Sequence, residues 1–126
     1  MLETNFSTLC NDLGKFAQSQ FPLEACGIIT KDYKFFPSVN LSNRPRVSFM
    51  IDPLLLITHD TNIWGVFHSH PDERFVTPSE QDLKLLVYDS LKFILYVDNK
   101  FYIYWYDKDK NIKRYEIFNA SHIENT

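Results

Sequence analysis

The chain is poor in cysteine, has no excess of positive charge and contains no long apolar run. Its two cysteines, Cys10 and Cys26, form no framework of pairs, so we expect a reduced, intracellular environment without structural disulfides. Thirteen basic and sixteen acidic residues give a net charge of −3, which predicts that nucleic acid is not a partner. No apolar stretch approaches the roughly 20 residues of a membrane span, and a polar N-terminus with Glu3 is unlike a signal peptide. We therefore predict a cytoplasmic protein without membrane contact.

Two common metal-binding motifs are also missing. The sequence contains no His-Glu-x-x-His, which excludes the helix-borne arrangement of many zinc proteases. It contains no Cys-x-x-Cys either, which argues against a zinc deaminase. Any metal chemistry therefore has to come from another constellation of residues.

The hydrophobic pattern predicts one α/β domain spanning residues 1–126, with a mixed β-sheet flanked by helices. An apolar fraction of 44% is ordinary for a globular protein. Apolar residues at helical spacing from Phe6 to Ala17 predict a first helix, and Asp52 before Pro53 predicts the start of a second, ending near His59. Alternating apolar residues predict seven strands, the first two forming a hairpin, at residues 25–31, 33–39, 47–51, 63–67, 92–97, 100–106 and 112–118.

His68 and His70 follow the apolar strand predicted at 63–67. Side chains two residues apart in a strand point to the same side, about 6.6 Å apart along the backbone, so both imidazoles can reach one metal ion. A catalytic zinc ion typically takes three protein ligands and keeps a fourth position for water. A His-x-His pair alone is more often a surface or core pair than a metal site. A metal site therefore needs a third ligand.

Asp82 is the candidate third ligand. It ends the segment Ser79-Glu80-Gln81-Asp82, which follows Pro78 and precedes an apolar run, as at the start of an ordinary helix. In that role Ser79 would cap the helix, and Asp82 would favour the positive end of the helix dipole. The capping and metal-binding interpretations are compatible, because a helix whose first turn faces a strand end can present a carboxylate to histidines there.

Glu24, at the start of another apolar strand, extends this set of residues to a pattern. Glu24 before Cys26-Gly27, then His68-Ser69-His70-Pro71, then Ser79-Glu80-Gln81-Asp82 resembles the JAMM (MPN+) family of zinc metalloproteases and isopeptidases. The resemblance covers about residues 24–82. It implies the JAMM/MPN fold, an α/β architecture like that of cytidine deaminase, with a bound Zn²⁺ and a protein or peptide substrate.

The same resemblance implies a role for each site residue. Three side chains would bind zinc: His68, His70 and Asp82. Glu24 would act as the general base on a water at the zinc and pass its proton to the leaving amine. Ser79 would help to stabilise the oxyanion of the tetrahedral intermediate.

The spacing between His70 and Asp82 is one residue longer than in the family. The family spacing would select Pro78 and Gln81, but proline has no side-chain donor and a neutral amide is a poor zinc ligand. We therefore assign the extra residue to the loop 72–77. Two acids in that loop, Asp72 and Glu73, are alternative bases, although loop solvation explains them as well.

The short chain resembles prokaryotic and phage members of the family. The run from Asn43 to Pro53 ahead of the histidines is similar to the JAMM domains of phage tail-assembly proteins. We therefore expect a metallopeptidase that acts in phage tail assembly, in the host cytoplasm or on the virion tail, with tail proteins as partners. Two alternatives stay open: a bacterial enzyme that processes a ubiquitin-like sulfur carrier, and a non-catalytic assembly scaffold.

A tyrosine stripe in the strand at 100–106 has two interpretations. Alternation puts Tyr102, Tyr104 and Tyr106 on one face of that strand. The stripe is either half-buried under a helix or a recognition surface, since tyrosine is enriched where proteins meet. The second interpretation predicts a homo-oligomer or a tail-protein contact through these residues.

Overall fold

The computed structural model describes residues 2–71, 91–97, 99–106, 109 and 111–117. Its two helices are α1 (Leu2–Gln20) and α2 (Pro53–Thr58). Its strands are β1 (Cys26–Thr30), β2 (Phe35–Ser38), β3 (Ile63–Ser69), β4 (Lys92–Val97), β5 (Lys100–Tyr106) and β6 (Ile112–Ile117). The predicted helix at Ser79 and the loop 72–77 lie outside the described residues. Neither described helix is long and apolar enough to cross a bilayer.

The strands form one mixed sheet in the order β2-β1-β3-β4-β5-β6. Neighbouring strands run antiparallel except β3 and β4, which are parallel. The carboxyl ends of β3 and β4 therefore lie side by side along one edge of the sheet, the edge that is formed by strand ends. Antiparallel β1 begins at that same edge. Cys26 pairs with His68, and His68 pairs with Leu95. The predicted α/β fold with a mixed sheet is confirmed.

Helix α1 covers one face of the sheet. Its apolar residues recur at the predicted helical spacing, and the buried ones include Leu9, Cys10, Leu13 and Ala17. They pack against side chains from the central strands, among them Ile29, Phe67, Ile94 and Phe101. Burial raises the pKa of the Cys10 thiol to about 12, so this cysteine behaves as a small apolar residue.

The opposite face carries a second core cluster. It includes Cys26, Ile28, Val66, Phe93 and Leu95 from the sheet, with Phe49 and Ile51 packed over them.

Tyr102 and Tyr104 belong to this second cluster, at 5% and 4% exposure. Of the two interpretations, the structure therefore supports burial for Tyr102 and Tyr104: their rings belong to the core on the face of β5 opposite Phe101 and do not form an exposed surface. The prediction that they lie on one face of the strand is confirmed. The Tyr106 side chain lies outside the described part of the chain.

The predicted strand at 47–51 is wrong. Phe49 and Ile51 are buried and Met50 is exposed, as an alternating pattern requires, but Val47 is exposed as well and the segment forms no ladder. The Met50 amide donates to the side-chain oxygen of Asn40 at 3.1 Å. The Asn40 side chain therefore accepts the hydrogen bond that a carbonyl of a neighbouring strand would accept in a sheet.

Helix α2 begins as the sequence predicts. The Asp52 carboxylate accepts a hydrogen bond from the Leu54 amide at 3.0 Å, and Pro53 occupies the first turn. His59 caps the carboxyl end.

Gly27 in β1 allows the edge strand β2 to pack closely. A Cβ at this position would lie 2.5 Å from the Phe36 carbonyl oxygen and 2.5 Å from the Phe35 ring. Because backbone is one of the two obstacles, no side-chain rotation relieves the clash. Pro37 of β2 lies directly opposite Gly27 in the ladder.

We expect Gly27→Ala to lower the free energy of unfolding by about 1–3 kcal/mol, because the added methyl group overpacks the strand pair. Urea denaturation measures the change. Gly14→Ala is the matched control, since a Cβ there meets only ring atoms at 3.7 Å or more. Alanine favours a helix over glycine, so this control should keep or raise stability. Equal stability of Gly27→Ala and wild type would contradict the packing argument.

Candidate metal centre

The edge where β3 ends and β1 begins brings three potential metal ligands together. His68 is the penultimate residue of β3, and His70 directly follows the strand. The His70 amide donates a hydrogen bond to the Tyr96 carbonyl at 3.0 Å. Glu24 lies two residues before β1, the strand that pairs with β3. The predicted strand at 63–67 is confirmed and continues to Ser69, which places both histidines at this edge.

The three side chains are buried and close. Glu24, His68 and His70 are 5%, 0% and 9% exposed, and each offers a ligand atom within 4.8 Å of the others. The two histidine Nε2 atoms are 3.1 Å apart. Two imidazole nitrogens bound to one tetrahedral zinc at about 2.0–2.1 Å would lie roughly 3.3 Å apart. The observed separation therefore fits a shared zinc ion with little movement.

Electrostatics favour a cation at this position. A buried carboxylate beside two imidazoles is costly unless positive charge neutralises it. A divalent metal ion at the two histidines supplies that charge next to Glu24. A direct hydrogen bond between the imidazoles, with one nitrogen protonated, explains the distance between the rings as well.

Aromatic rings fix the orientation of His68. The Phe49 ring stacks on the imidazole, with centroids 4.7 Å apart and planes inclined by 21°. The Phe93 ring meets the same imidazole edge to face, with centroids also 4.7 Å apart. A metal ligand held in one rotamer loses less entropy on binding than a mobile one. The core thus pre-organises this histidine.

Ser69 joins the two strands beside Glu24. Its side chain faces away from the histidines, and its hydroxyl accepts a hydrogen bond from the Ala25 amide at 2.8 Å. The Ser69 amide donates to the Ala25 carbonyl at 3.0 Å. Both backbone groups of Ala25 therefore bond to the residue between the two histidines, which ties Glu24 to them.

Cys26 is close to the cluster but does not belong to it. Burial raises the pKa of its thiol to about 12, the Ser38 hydrogen bond lowers it, and the charge of Glu24 raises it further. Its Sγ lies 4.0 Å from the Ser38 carbonyl oxygen of the neighbouring strand β2. Cys26 is thus a small, fully buried residue beside the site.

The structure brings together three of the five predicted site residues: Glu24, His68 and His70. Ser79 and Asp82 lie outside the described residues, as do the alternative bases Asp72 and Glu73. Ser69 and Phe49 support the site but were not predicted from the sequence. Strand alternation could have indicated that Ser69 faces away from the metal, whereas nothing in the sequence pattern connects Phe49 with His68.

The protein is therefore an α/β domain that carries a candidate metal centre, the buried Glu-His-His cluster at one edge of its sheet. The family model of prokaryotic homologs of the JAB domain matches residues 8–117. The chain therefore belongs to the Prok-JAB family, and the predicted JAMM/MPN resemblance is confirmed. No curated protein matches the sequence.

Phe49→Leu should weaken zinc binding about tenfold, because the His68 imidazole loses its stacking partner and gains rotational freedom. Competition with a chromophoric chelator measures the affinity. Phe36→Leu is the matched control, since it removes a ring that packs on His59, with centroids 4.3 Å apart, away from the cluster. The same loss of affinity in both variants would show that general loosening of the core, and not the orientation of His68, explains the effect.

Proposed function

We propose that this protein is a zinc-dependent metallopeptidase that hydrolyses a peptide or isopeptide bond. The observation that carries the proposal is the buried cluster of Glu24, His68 and His70 in a Prok-JAB domain. A purely structural member of the family has no need to bury a carboxylate beside two imidazoles, because an apolar core is more stable. The intact cluster therefore favours catalysis over the alternative of a non-catalytic scaffold.

The two histidines would hold the metal, with Asp82 as the third ligand that the family resemblance implies. Zinc, when bound, would polarise the scissile carbonyl and lower the pKa of water to about 7. The spacing of the imidazole nitrogens supports a single ion, and their burial keeps the site in a low-dielectric environment. Oxygen-seeking ions such as Mg²⁺ and Ca²⁺ are poorer candidates for two imidazoles.

Glu24 would move the proton. Its carboxylate offers an oxygen within 4.8 Å of the histidine nitrogens, so a water held at the histidines lies within its reach. Glu24 would accept a proton as the water oxygen bonds to the carbonyl carbon. It would then donate that proton to the nitrogen as the C–N bond breaks, which leaves a free amine and a carboxylic acid. Ser79 would donate to the oxyanion, as the resemblance implies.

A cavity lies between α1 and His70, with Ala17, Gln18 and Phe21 on its α1 side, and it would take the part of a substrate that extends past His70. It has a volume of about 340 Å³, and its lining includes Ser69, His70, Pro71, Tyr96 and Asn99. Mixed polar and apolar lining suits a peptide, whose backbone needs hydrogen-bond partners and whose side chains need apolar contacts.

The biological setting is the finer part of the proposal. We favour phage tail assembly in the host cytoplasm, with tail proteins as substrates or partners, because the run Asn43–Pro53 is similar to tail-assembly JAMM domains. Processing of a ubiquitin-like sulfur carrier in a bacterium is the alternative. The neighbouring genes distinguish the two: tail genes support the first, and a sulfur-carrier gene supports the second.

Protein purified without chelator and supplemented with zinc should bind one equivalent, measured by elemental analysis after desalting. His70→Ala should lose most of this zinc, because two of three ligands cannot hold the ion well. His59→Ala is the matched control, since His59 lies at the end of α2, and it should retain the metal. Wild-type protein that stays free of zinc, or His70→Ala that binds as tightly, would overturn the proposal.

Glu24→Gln should lower hydrolysis about 100-fold or more while zinc stays bound, because the amide keeps the size of the side chain but has no basicity. Mass spectrometry of products from a mixed peptide library, and from a sulfur-carrier protein with a C-terminal extension, measures turnover. Asp60→Asn, at an exposed acid, controls for the loss of a charge. If Glu24→Gln turns over as fast as wild type, the base is another residue, and Asp72 and Glu73 are the next to substitute.

A further inference from the structure

The Asn40 side chain holds together the irregular segment 40–50, which includes most of the strand predicted at 47–51. Its side-chain nitrogen lies 2.9 Å from the Glu24 carbonyl oxygen, 3.0 Å from that of Ser48 and 3.4 Å from that of Pro45. Its side-chain oxygen accepts from the Ser42 amide at 3.0 Å and from the Met50 amide at 3.1 Å. One amide side chain thus substitutes for the ladder that this segment lacks.

The segment 40–50 reaches the candidate metal centre at two points. At the first, the Pro45 carbonyl accepts a hydrogen bond from the Glu24 amide at 2.7 Å. At the second, Phe49 is 5% exposed and stacks on the His68 ring. The proposed base and one proposed ligand are therefore both held by a loop that folds around Asn40.

The backbone of Glu24 is fixed at both ends by this loop. Its amide bonds to Pro45, and its carbonyl accepts from the Asn40 side chain, while the following residue is bonded to Ser69. The ladder begins at Cys26 and the bonds to β3 extend only as far as Ala25, so the main chain of Glu24 itself is held by the loop. Without these bonds the main chain of Glu24 would not be held in place, and its carboxylate would have no fixed position relative to the histidines.

We propose that Asn40 is a positioning residue for the metal centre: it sets the loop that orients His68 through Phe49 and fixes the main chain of Glu24. The inference rests on the metal-binding part of the proposed function. Asn40 itself touches neither metal nor substrate in this role. It acts because an amide presents a donor and an acceptor on the same short side chain, and the loop needs both.

Asparagine is the side chain that fits these five contacts. Aspartate has the same shape and keeps the acceptor for Ser42 and Met50, but it turns an anionic oxygen toward the carbonyl groups of Glu24, Pro45 and Ser48. Asn40→Asp therefore breaks the donor half of the network and leaves its size unchanged. Asn43→Asp makes the same chemical change at an exposed position of the same loop and is the matched control.

Asn40→Asp should bind zinc about tenfold more weakly than wild type, in the range typical of residues that support metal ligands. At saturating Co²⁺, the visible absorption spectrum of the variant should also differ from that of wild type, because His68 is no longer held in one orientation. Hydrogen exchange of the Glu24 amide, read by NMR relative to core amides of β4, should accelerate. Asn43→Asp should match wild type in all three measurements.

The outcomes separate this inference from the proposed function. Wild-type protein that binds neither zinc nor cobalt overturns the proposed function. Wild type that binds metal, together with a folded Asn40→Asp of unchanged affinity and cobalt spectrum, overturns the role of Asn40 alone. Lower thermal stability with an unchanged cobalt spectrum does so as well, since it shows a merely structural role. Should Asn40→Asp fail to fold, Asn40→Ser, which loses reach without adding charge, takes its place under the same criteria.

Discussion

The register between β1 and β3 determines where every described group of the candidate metal centre lies. Cys26 pairs with His68, so the residues just before β1 lie beside those just after β3. A slip of one residue would turn the His68 side chain to the face covered by α1 and put Phe67 where the imidazole now lies. Ser69 reinforces the register because its hydroxyl and amide both bond to Ala25. The strand pairing therefore brings Glu24 to the same end of the sheet as the histidines, and the bonds to Asn40 and Pro45 fix its main chain there.

Burying the polar groups of the site lowers the stability of the fold, and the surrounding core offsets part of this loss. Two imidazoles and a carboxylate occupy buried positions that apolar side chains would fill more favourably. Phe49 and Phe93 compensate in part, since their rings pack on His68 and extend the apolar cluster up to the edge of the metal centre. The same contacts that stabilise the fold thus restrict the imidazole to one orientation, so stability and pre-organisation have a common origin here.

Patterns that depend on local alternation predicted most of the fold. The strand leading to His68 and His70, the cap at Asp52 and the strands after residue 91 all follow from periodicity and turn chemistry. The segment at 47–51 alternates in the same way, yet its Met50 amide bonds to the Asn40 side chain, a contact between residues ten positions apart that periodicity does not report. Tyr102 and Tyr104 show a second limit, because alternation assigns residues to a face but does not indicate whether something covers that face.

Pro37 has a consequence for how the sheet ends. It lies in β2, which forms one edge of the described sheet, directly opposite Gly27. Proline has no amide hydrogen, so the short edge strand cannot present an unbroken row of donors to another chain. A foreign strand would find the hydrogen-bonding template interrupted in the middle. The edge strand that packs closely over Gly27 is thereby also protected against growth into a larger aggregate.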